Sequence, residues 1–383
     1  MSKDKRNSIV SKNLLRPISN EKWQTITIPL FSIVISFIAA AIVIFLIGKN
    51  PFQAFYNLFQ GSGILPKPSY AGYKSMLTDF LSLLNAMTPL VFASLAVAVA
   101  FKAGLFNIGV SGQMLVSGFI ASIIVGYSGL DAIIAKPLVL VIGIIAGGLM
   151  GGLVGWLKHR FNINEVVSTI MLNYIAQYVI SFFIQMYYID PVSRQSKYVS
   201  EASRLTLVNV ETANLKMDLP LGFILAIIFA IFLKFVMDKT VVGYEIKAVG
   251  MNRNAAKYAG INVGRNTVLA MVISGGLAGL AGVTYYLGYF SSIQPKVLSS
   301  IGFDSIAVSL LGNSHPIGVI FSSFLISIID QGSTYMSSQA GIRQEIASVI
   351  VGLILLFSAC GEYLKHKVGQ LKETEVVRKE SES

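Results

Sequence analysis

Stretches of predominantly apolar residues, each near the ~20 needed to cross a hydrocarbon core of ~30 Å, recur from Thr27 almost to the end of this 383-residue chain. A soluble fold has no interior large enough for all of them. Hydrophobic residues make up 54% of the sequence and charged residues 13%, with a mean hydropathy of +0.67, whereas an average soluble domain is about 25% charged. The chain therefore reads as an all-α integral membrane protein that uses lipid as its solvent.

A net charge of +11 would suggest a nucleic-acid partner in a soluble protein. Here the basic residues sit in tails and connecting loops, so they report topology and no nucleic acid is expected. Lys3, Lys5, Arg6, Lys12, Arg16 and Lys22 outweigh Asp4 and Glu21 ahead of the first apolar run, which places the N-terminus in the cytoplasm. The run after them spans fully and no small-residue cleavage pattern follows, so this is not a cleavable signal. The single Cys360 cannot form an internal disulfide, and no Cys or His cluster suggests a metal. His159 and His366 lie near cytoplasmic ends and His315 in a turn, which gives no converging acid/base or nucleophile set for an enzyme.

Hydropathy places spans near 27 to 48, 79 to 101, 104 to 126, 137 to 157, 165 to 189, 219 to 237, 266 to 290, 301 to 313, 316 to 331 and 344 to 360. About ten transmembrane helices result, with cytoplasmic tails at 1–26 and 361–383 around a membrane domain at 27–360. Lys158, Arg160, Lys239, Lys247, Arg253, Lys257, Arg265, Lys365 and Lys367 then all fall on the cytoplasmic side. The segment from Ile301 is short and ends at Gly312-Asn313-Ser314-His315-Pro316, which reads as a half-helix or re-entrant element.

Four spans before the extracellular loop at 190–218 start from outside, and four after the cytoplasmic loop at 238–265 start from inside. The second element of each set is interrupted, at Gly104 to Gln113 and at Gly302 to Asn313. Broken spans at matching places in inverted halves point to a transport site near the midplane, although close packing through small residues explains the same pattern. Gly147, Gly151 and Gly155, and likewise Gly275 and Gly279, share one helical face each and should let backbones approach.

Thr169, Asn173, Gln177, Ser181 and Gln185 recur every four residues, a polar stripe across one span. Such a stripe faces protein or water, because unsatisfied polar groups in hydrocarbon cost several kcal/mol. Asn107 and Gln113 share the two available readings, pore lining or hydrogen-bond glue between helices. Neutral amides and hydroxyls suit an uncharged hydroxylated or amide-bearing solute. An ion path would carry buried acids or histidines, and here Asp304 and Asp330 are the main candidates. In the loop from Gly243 to Arg265, Asn254 can cap a short helix whose Ala255, Ala256 and Ala259 would fit a groove on another protein.

Four segments together resemble the permease subunits of bacterial ABC importers for nucleosides and simple sugars, within the group that includes ribose and branched-chain amino acid permeases. They are Phe106 to Gln113, Asn164 to Tyr174, Ala248 to Val263, and Gly302 to Gly318 with its Ile306-Ala307-Val308-Ser309-Leu310-Leu311-Gly312 core. The family's glutamine motif commonly has Glu where this chain has Ser111. The resemblance implies transport of a small polar solute across the plasma membrane, nucleosides first and simple sugars as the alternative, by alternating access between the two halves. Gly250, Asn254, Ala255, Ala256, Ala259 and Gly260 would form the coupling element, and Asn107, Gln113, Asn173, Gln177, Phe303 and Asp304 the solute pathway. It also implies a cytosolic ATPase, a second permease and an extracellular substrate-binding lipoprotein. No phosphate-binding loop occurs in the sequence, so the chain needs no cofactor of its own and ATP is expected on the ATPase. An ion-coupled secondary transporter is the rival transport reading.

Overall fold

The computed structural model describes residues 21–212 and 215–359. The C-terminal tail with Cys360 and His366, and the N-terminal tail up to residue 20, lie outside the described residues. Chain order gives α1 (Glu21–Leu46), α2 (Pro51–Gly61), α3 (Met76–Lys102), α4 (Val110–Ala121), α5 (Ala132–Phe161), α6 (Glu165–Phe183), β1 (Thr206–Thr212), β2 (Leu215–Pro220), α7 (Leu221–Lys239), α8 (Val241–Met251), α9 (Arg253–Tyr258), α10 (Val263–Val283), α11 (Ile301–Leu311), α12 (Pro316–Ala340) and α13 (Glu345–Ala359). Helices α4, α6 and α10 each run on into a π-helical turn, at Ser122–Gly126, Ile184–Tyr188 and Thr284–Tyr289.

Seven of these helices are long and apolar enough to cross a bilayer, and three apolar ones are shorter, at 110–126, 301–311 and 345–358. The 11 residues of α11 rise only about 16 Å at 1.5 Å per residue, so α11 is a half-helix. Helix α12 is longer than hydropathy alone indicated, because Ser333, Ser337 and Ser338 continue its last turns.

Two elements depart from the all-α reading and from the span positions. The loop expected at 190–218 runs on to Pro220 in an antiparallel hairpin of β1 and β2, with Thr206 opposite Pro220 and Val210 opposite Met217. It is pinned to α3 where the Thr206 hydroxyl donates to Asn85 Oδ1 at 2.9 Å. Helix α2 escaped hydropathy because it is short and mixes Gln53, Asn57 and Gln60 with its aromatics; Asn50 caps it by accepting from the Phe52 and Gln53 amides. It lies along α12, and Gly61 and Gly332 leave the two backbones in contact.

Helices α3 and α10 are enclosed almost throughout, whereas α1 and α7 leave most of their surface outside. Along the seam between α5 and α10, a Cβ on Gly151 would lie 2.8 Å from Gly275 Cα and one on Gly147 would lie 2.7 Å from Gly279 Cα. The close approach expected from the two glycine rows is therefore a backbone-to-backbone contact between these helices.

Two ends of the bundle can be told apart. Lys158, Lys239, Lys247, Arg253, Lys257 and Arg265 gather at a basic end, where Gly104 packs on Gly250. The hairpin and the loops at 190–200 and 290–300 form the opposite, hairpin end, tied by the Ser196 amide donating to the Ile293 carbonyl and the Val199 amide to that of Ser291.

Candidate functional site

Helix α3 ends at Lys102, and Gly104, with φ +66°, turns the chain back so that α4 begins inside the bundle at Val110. Asn107 organises that return. Its Nδ2 donates to Gln113 Oε1 at 3.0 Å and to Ser274 Oγ at 2.9 Å, while its Oδ1 accepts from the Gly109 amide at 2.9 Å. Ser274 passes the connection to the Ala96 carbonyl of α3. Asn173 of α6 clamps the same turn from the other side, accepting from the Gly112 amide and donating to the Ile108 carbonyl, both at 2.9 Å. These three amides are buried, and their hydrogen bonds run to the protein.

The start of α4 meets the start of the other half-helix. Ser111 Oγ donates to the Ser299 carbonyl at 2.8 Å, and a Cβ on Gly302 would lie 2.8 Å from the Ser111 amide nitrogen. The N-cap residues Gly109 and Ser300 make no side-chain cap; Asn173 meets the Gly112 amide of α4 and Ser299 Oγ the Ile301 amide of α11, and the starts of two broken helices converge here. Ser111 is thus a helix-to-helix contact, set against the bare backbone of Gly302.

From this junction the loop at 290–300 leads out to the hairpin end. Gln177 holds it by donating to the Lys296 carbonyl at 2.6 Å, and Ser181 by accepting from the Lys296 amide at 2.7 Å. Ser292 donates to Gln195 Oε1 at 2.6 Å. Between loop and helix lies a cleft of about 320 Å³, walled by Tyr285 and Phe290 with Gln195, Gln294, Ser299 and Ser300 among its polar groups. Its lining includes no charged side chain. Phe303, exposed on the first turn of α11, and Asp304 follow directly from Ser300, and Asp330 of α12 is near enough to act on Asp304, Tyr285 and Tyr289.

The expected pathway residues therefore fall into two groups. Asn107, Gln113 and Asn173 come together around the start of α4; Gln177, Phe303 and Asp304 flank the 290–300 loop. The cleft residues Gln195, Tyr285, Phe290 and Gln294 were missed. The aromatic run Tyr285, Tyr286, Tyr289, Phe290 followed by Ser291-Ser292-Ile293-Gln294 was the available signal, but it also fits an ordinary interfacial end of a span.

At the basic end, the expected coupling residues lie on α8, α9 and the turn after them. The cap is Asn252, whose Oδ1 accepts from the Asn254 and Ala255 amides at 3.0 Å; Asn254 is in the helix and not its cap, because a capping side chain reaches forward to donors two and three residues on. Gly250 is packed on the Lys102 and Gly104 backbone and Ala256 is buried, whereas Ala255, Ala259 and Gly260 are exposed. Beside α9 a basic recess of about 460 Å³ gathers Lys158, His159, Arg253 and Lys257, and Lys158 is paired with Glu165 at 2.7 Å.

Residues 80–359 match the family described as the permease component of the branched-chain amino acid transport system. The nucleoside ABC transporter permease protein NupB of Lactococcus lactis subsp. cremoris is 34% identical over 374 residues, 95% of this chain and 99% of that protein. The guanosine ABC transporter permease protein NupP of Bacillus subtilis is 34% identical over 349 residues, 90% of this chain and 96% of its own. The glucose ABC transporter permease protein TsgB13 of Haloferax volcanii is 28% identical over 295 residues, 73% and 76% of the two chains.

Proposed function

The chain belongs to the branched-chain amino acid transport system permease family, and from that premise we propose that the solute it carries is a nucleoside and that it passes through the cleft under the 290–300 loop. It is a membrane-spanning permease subunit of an ABC importer, not an enzyme, and ATP is hydrolysed on a separate subunit. The observation that carries the choice of solute is the lining of the cleft. Tyr285 and Phe290 offer ring faces for a base, and Gln195, Gln294, Ser299 and Ser300 offer donors and acceptors for base edges and ribose hydroxyls. The absence of a charged lining fits a neutral solute held weakly enough to move on. Simple sugars are the second reading, favoured by the glucose permease among the relatives; they would use the hydroxyls and amides and leave the paired aromatics with less to do. The ion-coupled reading gives way to the ABC family assignment.

In the arrangement we infer, the ten apolar segments all enter the membrane, eight of them as two inverted sets of four, with the three short helices as half-spans or near-spans. The basic end faces the cytoplasm together with the tails at 1–26 and 361–383. The hairpin end, with the loop at 190–218, faces outward and receives an extracellular substrate-binding lipoprotein. The segment 243–265 couples to the ATPase through the exposed Ala255, Ala259 and Gly260, with Gly250, Asn254 and Ala256 holding its shape. Gln177, Phe303 and Asp304 flank the route, and Asn107, Gln113 and Asn173 shape the half-helix junction beneath it. A second, related permease completes the channel, and access alternates as the ATPase opens and closes.

Uptake of radiolabelled uridine and adenosine by cells lacking the protein tests this reading. Loss of uptake in the null strain and rescue by the wild type are expected. Unchanged uptake in the null, together with glucose or ribose uptake that follows the protein, would replace nucleosides by sugars.

A further inference from the structure

At the basic end, α1, α7, α11 and α12 do not close on one another but leave a groove of about 650 Å³. Its walls are apolar, with Leu30 and Ile33 on one side and Leu311 and Phe321 on the other. Leu30 is 59% exposed and Phe321 72% exposed, so the groove is open along its length. Its titratable groups are Lys234 of α7 and His315 at the start of α12. Lys234 makes no ion pair among the described residues, and Asp238, one turn further along α7, is engaged by Lys247 at 3.4 Å. Lys102 also stands close enough to act on His315. Positive charge thus gathers at one end of an otherwise apolar trough on the face where α1 and α7 are least covered.

We propose that this groove holds one phospholipid with an anionic headgroup, its phosphate between Lys234 and His315 and its acyl chains along Leu30, Ile33 and Phe321. The shape asks for an occupant that is negative at one end and hydrocarbon for the rest. A free phosphate would leave the apolar walls unfilled. The chain's first twenty residues carry Lys3, Lys5, Arg6, Lys12 and Arg16 against Asp4 alone, a charge opposite to the one that complements Lys234. A basic recess between membrane helices on the cytoplasmic side is the usual setting for such a headgroup. The assignment does not depend on which solute is carried.

The test uses the intact transporter purified in mild detergent. Phospholipid retained per permease is measured by native mass spectrometry and compared with the bulk membrane, for wild type, Lys234→Gln and Lys234→Glu. About one anionic phospholipid per permease, enriched at least fivefold over bulk, is expected for wild type, with the enrichment abolished by Lys234→Glu and reduced by Lys234→Gln while gel filtration stays unchanged. In nanodiscs, replacing phosphatidylcholine by phosphatidylglycerol should raise the wild-type Tm saturably and leave Lys234→Glu unmoved. No enrichment, or equal enrichment in Lys234→Glu, overturns the proposal. Stabilisation by inorganic phosphate as great as by phosphatidylglycerol would make the site a simple anion site. A photocrosslinker at Phe321 that captures residues 360–383 instead of lipid would give the groove to the chain's own tail.

Discussion

The side-chain amides of Asn107 and Gln113 lie face to face, Asn107 Nδ2 donating to Gln113 Oε1 at 3.0 Å and Gln113 Nε2 donating back to Asn107 Oδ1 at 3.3 Å. Each is almost fully enclosed, but without Gln113 the Asn107 amide would keep Ser274 and Gly109 as partners. Gln113→Leu should cost about 0.5 to 1.5 kcal/mol, the net worth of a lost intramolecular hydrogen bond. The expected signature is a lower Tm and less assembled protein, with KM for nucleoside unchanged in the molecules that survive. A raised KM with a normal Tm would instead place Gln113 on the solute.

Phe290 presents its ring to the cleft and is 46% exposed, so truncating it should disturb the fold little. Stacking of a base on an aromatic ring is worth ~1 to 3 kcal/mol. Phe290→Ala should therefore raise the KM for uridine uptake by about tenfold or more, and Phe290→Tyr should stay close to wild type. If Phe290→Ala transported normally, the cleft would not be the nucleoside route.

On α9 the two alanines separate docking from folding, because Ala255 is exposed and Ala256 is 3% exposed. Ala255→Arg should insert and fold normally yet lower solute-stimulated ATP hydrolysis by about tenfold or more. Ala256→Arg should instead reduce the amount of folded protein, since overpacking costs ~1 to 3 kcal/mol even before a charge is buried. Full coupling in Ala255→Arg would move the ATPase contact elsewhere.

His315 is held below the ordinary imidazole range first by burial, then by Lys234 and Lys102, with Asp238 pulling the other way. The native state then binds fewer protons than the unfolded chain. Its contribution to stability is present above the unfolded value, about 6.5, and is lost as pH falls below it. In detergent without anionic lipid, the wild-type Tm should drop more between pH 7.5 and 5.5 than that of His315→Gln. Parallel slopes would mean that His315 does not titrate differently on folding.

Much of this architecture could be read from residue order because the bilayer imposes a length on apolar runs. The long spans, the half-helix ending at Gly312 and the glycine faces of α5 and α10 all follow from length and spacing. Helix α2 could not be read the same way, since eleven amphipathic residues lying along α12 obey no membrane-crossing rule. Nor could the β1–β2 hairpin, which is anchored by Asn85 from far along the chain. The polar stripe on α6 was visible, but its partners were not. Asn173 finds Gly112 and Gln177 finds Lys296 across long separations, which no periodicity encodes. The cleft was obscured for a related reason, because Tyr285 and Phe290 become a wall only when Gln195 is brought opposite them.

The glycine seam has a kinematic meaning. With Gly151 set against Gly275 and Gly147 against Gly279, no side chains lie between the two backbones to roll or slip, and a shift along the seam would drive Ile144 or Val272 into the opposing backbone. Helices α5 and α10 therefore act as one link of a machine, although they come from the two halves that the sequence suggests would turn against each other. On the coupling and the second permease proposed above, a stroke driven from α9 would be taken up at joints around that link and not within it.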